Sequence, residues 1–341
     1  MNRLLKIRIA LFLIVPMLFC SCGQKSAGII EERTQSREKI INVKLESIDE
    51  YLPPLNSLSS IYIIGDTLII RDNKSVDKLY FAYNLSTQTE LGWFGKFGGG
   101  PGELVNFNGR IFDKERHCLY GIDFGPMEIK KIDIRKALSD STYGAEIIRK
   151  IDPGKDGYFT SGYYANDSTL YVSMEMYDTI SHRMHTLITR YNLKNGEKTP
   201  INTPDDGTRH ISHSLAIPEE NVFFTFYPLH DKIRIYDFDG NLKSTIYGLN
   251  YKEKGDGVTA YFGSGIVGLN SIIYVIYNGK DFSRHNPQDV IVMDKNGDYI
   301  KTLHFDSFVW NIAYHTPTNR LYVSTDGESQ FGYINLSDYD L

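Results

Sequence analysis

Leu68-Ile69-Ile70-Arg71-Asp72 is one of six short apolar runs that share a pattern and a spacing. The others are Leu119–Asp123 (LYGID), Leu170–Met174 (LYVSM), Val222–Phe226 (VFFTF), Ile273–Tyr277 (IYVIY) and Leu321–Thr325 (LYVST). Their first residues lie 51, 51, 52, 51 and 48 positions apart. A period of ~40–50 residues is that of propeller blades. The 24 Tyr and 18 Phe fit a β protein, because aromatic side chains suit half-buried pleated surfaces.

Working outward from each run, a second strand follows: KLYFAYNL, EIKKIDI, TLITRYNL, KIRIYDF, VIVMDK and GYINL. Each ends in turn residues, among them Lys194-Asn195-Gly196, Asp239-Gly240 and Asn296-Gly297. Asn-Gly and Asp-Gly tolerate positive φ and so mark hairpins. The remaining turns are expected at Ser86-Thr87, Arg135-Lys136 and Ser337-Asp338. A third strand follows several turns (ELGWFG, LKSTIYG, YIKTLHF), and a weaker one precedes several runs (SSIYII, SLAIP, NIAYH). The expected fold is all-β: a six-bladed β-propeller with four-stranded antiparallel blades. The sixth repeat has no outer strand of its own. Ile40–Leu45 (IINVKL) is expected to supply it and hide that edge.

Ahead of the repeats, Arg3, Lys6 and Arg8 precede the apolar run Ile9–Phe19, then Ser21-Cys22-Gly23. A basic head and a short apolar run before small residues is a secretory signal. The run contains Pro16 and falls short of the ~18 residues a spanning helix needs. Leu18-Phe19-Cys20-Ser21-Cys22 resembles a lipobox, with Phe19 where Leu is usual. The resemblance implies lipidation of Cys22, a membrane anchor and residence in the cell envelope. Residues 1–21 are then the signal, 22–38 the lipidated cysteine and a flexible tether, and 39–341 the propeller. The hydrophobic content of 41% and charged content of 23% fit a globular core. Cleavage would remove three cations and take the net charge from -5 to about -8, which argues against a nucleic-acid partner. Cys118 would be the lone remaining cysteine, so the domain relies on its core rather than on disulfides.

Phe94-Gly95-Lys96-Phe97-Gly98-Gly99-Gly100-Pro101-Gly102-Glu103 resembles a glycine loop of Bacteroides lipoproteins with TolB-like six-bladed propellers. Tyr277-Asn278-Gly279-Lys280 resembles their fifth-blade Tyr-Ser-Gly-Lys. The resemblance supports the fold and the outer-membrane compartment and carries no chemistry. Converging N–H groups at Gly98, Gly99, Gly100 and Gly102 could cradle an anion. However, no Lys-Ser or Lys-Thr follows as in a phosphate loop. The same residues also fit a tight connection between blades.

Innermost strands line a propeller's channel. About ten residues before each run stand Ser59, Phe107, Phe159, His213, Phe262 and Trp310, with Arg110 and Arg209 nearby. These aromatics fit either a ligand-binding channel mouth or packing between blades. His182/His185 and His210/His213 are three apart, which on a strand means opposite faces. No zinc motif, nucleophile elbow or cofactor motif is present, so neither metal nor cofactor is expected. Cys118 reads as a small core residue. Two functions remain open: a non-catalytic module that binds a protein, peptide or glycan, or a channel-centred metal-dependent hydrolase of the lactonase or esterase kind. The hydrolase would need oxygen ligands such as Asn106, Asn108 and Asn311.

Overall fold

The computed structural model describes residues 30–341 apart from 57, 153–156, 167, 179–182, 202–212, 254, 256–257, 282 and 284–285. Among these residues the strands form six antiparallel blades. The six repeated runs all fall on the second strand from the centre: Thr67–Arg71, Cys118–Asp123, Thr169–Asp178, Val222–Phe226, Ile273–Asp281 and Arg320–Thr325. In this position a strand is covered on both faces by the neighbouring blades. Cys118–Asp123 is buried at every residue. Such strands read as continuous apolar runs rather than as alternation.

Burial occurs between blades. Six apolar clusters occupy the six junctions. Ile69, Tyr80 and Phe94 meet Phe107 and Leu119 between blades 1 and 2. Tyr274 and Val292 meet Ile312 and Leu321 between blades 5 and 6. Ile61, Ile70 and Phe81 meet Ala313 and Tyr322 where blade 6 closes on blade 1. At that last junction Asn311 Oδ1 accepts the Ile61 N–H at 2.9 Å, and buried His315 sits 3.0 Å from Asp66.

The N-terminal segment corrects two expectations. The β structure begins before residue 39: Glu31–Gln35 pairs in parallel with Leu242–Gly248 and becomes a fifth strand of blade 4. The tether expected over 22–38 therefore does not extend through these residues. Next, Ile40–Asn42 joins blade 5, not blade 6, in parallel with Tyr299–His304. The closing strand is Glu46–Ser47, antiparallel to Phe331–Asn335 of blade 6. The chain thus crosses the rims of blades 4, 5 and 6 in turn. The signal, Cys22 and the first tether residues lie outside the described residues.

The clasp on blade 6 is polar. The Asp49 carboxylate accepts the N–H groups of Gln330 and Phe331, each at 2.8 Å, and Ile48 N–H reaches Phe331 O at 2.9 Å. Glu46 adds bonds from Tyr333 and Asn335 at the exposed rim. A smaller correction concerns Arg135-Lys136. They lie in a short helix, Ile134–Ser139, capped where the Asp133 carboxylate accepts from Lys136 N–H, rather than in a simple turn.

Asp49→Ala should cost about 2–3 kcal/mol in denaturant unfolding, since two bonds to a charged acceptor at the closure are lost. Glu46→Ala, at the exposed rim, should cost under about 1 kcal/mol.

Candidate functional site

Inner strands begin, and connections between blades run, on one face of the propeller. The channel mouth expected from sequence lies on this face, and the structure divides its residues. Phe107 and Phe159 are core: Phe107 packs edge-on to Tyr80, and Phe159 to Tyr191. Phe262 is core too, tilted against Phe226 and Tyr277. These three rings fill junctions and do not present a surface to the channel. Arg209 lies outside the described residues, as do His182 and His210.

Arg110, His213 and Trp310 remain. Arg110 is the extra residue of a bulge between Gly109 and Ile111, and Trp310 that of a bulge between Val309 and Asn311. Bulges re-aim side chains, and both of these are exposed although they sit on innermost strands. Half-buried His213 opens the inner strand of blade 4. Its pKa is pushed down to about 4, first by burial and then by the Arg110 charge. Arg71 reaches the same end, donating to Phe107 O at 3.0 Å. The channel wall is therefore cationic around blades 1 and 2.

Of the oxygen donors expected for a metal, Asn311 is engaged, whereas Asn108 Oδ1 is buried with no hydrogen-bond partner among the described residues. Asn311 Oδ1 holds the Ile61 N–H, and its amide nitrogen lies 3.4 Å from Ser264 Oγ. Asn108 lines a void of about 10 Å³ beside Ile111 and Phe159. Asn106 is exposed just after the glycine loop, its N–H held by Asp123. Among the described residues no group of three or more His, Cys, Asp or Glu is placed to hold an ion. Cys118 is buried, and burial pushes its thiol pKa up, away from reactivity.

The glycine loop is filled by its own chain. Glu103 turns back so that its carboxylate accepts the Gly100 N–H at 2.8 Å, and Lys96 pairs with it at 2.6 Å. Both contacts hold its pKa down. This carboxylate takes the place of the external anion considered above. Gly102 has φ +75°, and a Cβ there would stand 2.6 Å from the Gly144 Cα. Pro101 is exposed at the tip beside Gly99. Beneath the loop, Lys130 and Asp123 form a buried pair at 2.7 Å. Asp123 also accepts from Val105 and Asn106 N–H, and Lys130 donates to Glu103 O. Burial alone would raise the Asp123 pKa, but these bonds outweigh it and bring it down.

A second feature on this face was not anticipated from the sequence. A crevice of about 290 Å³ opens between blades 4 and 5, beneath the N-terminal segment. Arg37 is wedged into it, its side chain 8% exposed, with Nη1 on Asp231 at 2.5 Å. The guanidinium lies 5.3 Å from the Phe262 ring centre and 5.1 Å from that of Tyr277. Tyr277, Asn278, Gly279 and Lys280, the fifth-blade stretch singled out by resemblance, line the same crevice. Gly279 adopts φ +65° there. Burial, then the Asp231 charge, pushes the Tyr277 pKa up to about 12.

These features define a six-bladed β-propeller with a cationic channel mouth and a side crevice. No protein-family model and no curated protein matches the sequence. Solved structures do resemble the fold. A DUF4221 family member from Bacteroides vulgatus has a TM-score of 0.57 at 12% identity, over 86% of this chain and 98% of that one. A candidate exported protein from Bacteroides fragilis has 0.54 at 11%, over 87% and 88%. A gluconolactonase from Xanthomonas campestris has 0.50 at 13%, over 82% and 86%. At these identities the likeness shows the fold alone.

Two outcomes follow. Lys130→Met should destabilise by about 3–5 kcal/mol, because Asp123 is left buried without its cation, and hydrogen exchange should quicken at Val105 and Asn106. His213 binds fewer protons folded than unfolded between pH about 6.5 and 4, so stability should fall as pH drops through that window, by at most about 3 kcal/mol. His213→Gln should flatten that limb of a melting-temperature profile.

Proposed function

We propose that this chain is a lipid-anchored envelope protein whose propeller is a non-catalytic binding or scaffold module for a protein, peptide or glycan. The observation that carries this is the charge of the channel. A metal-dependent hydrolase of this fold would gather oxygen ligands on the innermost strands. Here those strands offer Arg110, whose charge depresses His213, and an Asn311 whose oxygen already ties blade 6 to blade 1. A guanidinium at this position opposes a divalent cation and attracts an acidic or polar partner. Bulge-exposed Trp310 adds an apolar contact of the kind that dominates interfaces. The N-terminal signal, the Cys22 lipobox and the resemblance to Bacteroides TolB-like lipoproteins support the envelope assignment, on the outer membrane. Among the described residues no helix is long and apolar enough to cross a membrane.

The rival hydrolase reading draws on the shared fold of the gluconolactonase. Two measurements separate the readings. Cross-linking in intact envelopes followed by pull-down should return a partner above a lipid-only control, and Arg110→Glu/Trp310→Ala should reduce its recovery. A calcium-dependent rise in melting temperature, with no partner recovered, would establish the rival instead.

A further inference from the structure

The two faces of the propeller differ in what they expose. Strands alternate in direction within each blade. Connections between blades, and those from second to third strands, therefore lie on the upper face, where the channel mouth opens. The hairpins that join first to second and third to fourth strands lie on the lower face. Thirteen large apolar side chains are exposed among the described residues. Eight of them stand on the upper face, Val76, Phe97, Val105, Leu229, Leu249 and Trp310 among them, whereas the lower hairpins hold one, Leu269. Some adjoin one another or a further ring. Phe97 bridges to Leu104, the neighbour of Val105, and Phe308 packs edge-on to Trp310 with ring centres 5.8 Å apart. Single exposed apolar residues are ordinary, but their gathering on one face marks an interaction surface.

Their spread and their types indicate the partner. Val76 and Phe97 flank blade 1, Leu229 belongs to blade 4 and Trp310 to blade 6, so they surround the mouth and exceed the span of a small molecule. Most of the eight are Val or Leu, aliphatic groups that gain by desolvation against other apolar side chains. Inside this ring stands Arg110. It is exposed, with no hydrogen bond or ion pair among the described residues. The inner strands hold one acid, Asp113, at a lower end where Arg116 pairs with it at 3.1 Å. The mouth thus carries a positive charge within a chain whose net charge is -5, and such a charge between low-dielectric walls attracts a carboxylate. The N-terminal segment enters from the other side. Glu31 pairs with Ser244, just past the lower hairpin at Asp239-Gly240, and Gln35 with Gly248 at the upper end.

We propose that the upper face docks a protein partner whose acidic projection enters the channel mouth over Arg110 while its apolar surroundings cover the ring of exposed side chains. The proposal rests on the binding-module reading and narrows its partner to a protein of this shape and charge.

Titration of the full chain with an acetylated hexaglutamate peptide, followed by tryptophan emission, tests the acidic contact, with hexalysine as control. Hexaglutamate should bind despite the acidic net charge, and more weakly as salt rises, whereas hexalysine should not bind. Arg110→Gln should weaken hexaglutamate at least about fivefold with an unchanged melt, since Arg110 has no contact to lose. Trp310→Phe should remove most of the emission change, which places the peptide at the mouth. In envelope cross-linking, Val76→Asp and Phe97→Asp should each lower partner recovery at least about fivefold, and Leu269→Asp on the lower face should not. No emission change up to about 10 mM hexaglutamate, equal binding to Arg110→Gln, or an equal loss of recovery from Leu269→Asp would each overturn the proposal. Where the unaltered chain still recovers a partner under one of these outcomes, the broader function stands without this interface. Recovery of no partner would overturn both.

Discussion

A β-sheet with two apolar faces has nowhere to put them except against other sheets. Every blade here is in that position, because its second strand is buried on both faces. The only arrangement of such units that leaves no face exposed is a closed circle. This makes the junction between blades 6 and 1 different in kind from the other five. Five junctions join units consecutive in the chain, whereas the sixth must join its ends. Polar contacts of directional geometry reinforce it: Asn311 on Ile61, His315 near Asp66, and the Asp49 carboxylate on two blade-6 N–H groups. Apolar packing is tolerant of small slips, but hydrogen bonds fix register, and a ring that must close needs its register fixed.

The N-terminal segment extends this logic. Two of its strands lie parallel to the outer strands of blades 4 and 5, and the third closes blade 6. Each covers an open sheet edge, which is otherwise a template for unwanted pairing. Between the first two, Arg37 drops into the junction of blades 4 and 5 and pairs with buried Asp231. The segment is therefore fastened by backbone pairing at the rim and by an ion pair deeper in.

What the sequence revealed and concealed follows from where each strand sits. Second strands are covered on both sides, so they are uniformly apolar, and their period exposes the blade count. Glu31–Gln35 lies on the rim with its side chains largely in solvent, so EERTQ carries no apolar alternation and resembles a linker. The same reasoning explains Ile40–Asn42: its isoleucines mark it as a strand, but nothing in three residues specifies which blade it joins. At the channel, counting back from each repeat located the inner strands correctly but not the direction of their side chains. A bulge shifts that direction by one residue, and Phe107 turned inward to the core while Arg110 and Trp310 turned outward. Bulges leave no mark in residue type that one sequence can display. The glycine loop was legible as a tight connection, whereas Glu103 as its internal anion required knowledge of a fold-back three residues long.

These placements bear on what the fold can do. The cationic wall around Arg110 and the crevice around Arg37 both lie on the face where blades are joined, yet they are built differently. Arg110 belongs to an inner strand and is fixed once the ring has closed. Arg37 belongs to a segment held at the rim by parallel pairing and by one buried ion pair, so it can leave its junction without opening a blade. Tension on the chain from its N-terminal side arrives first at Glu31, the start of the rim strand, and reaches Arg37 before the clasp at Asp49. Chain order alone thus makes the crevice the more labile of the two surfaces and the closure of the ring the more protected.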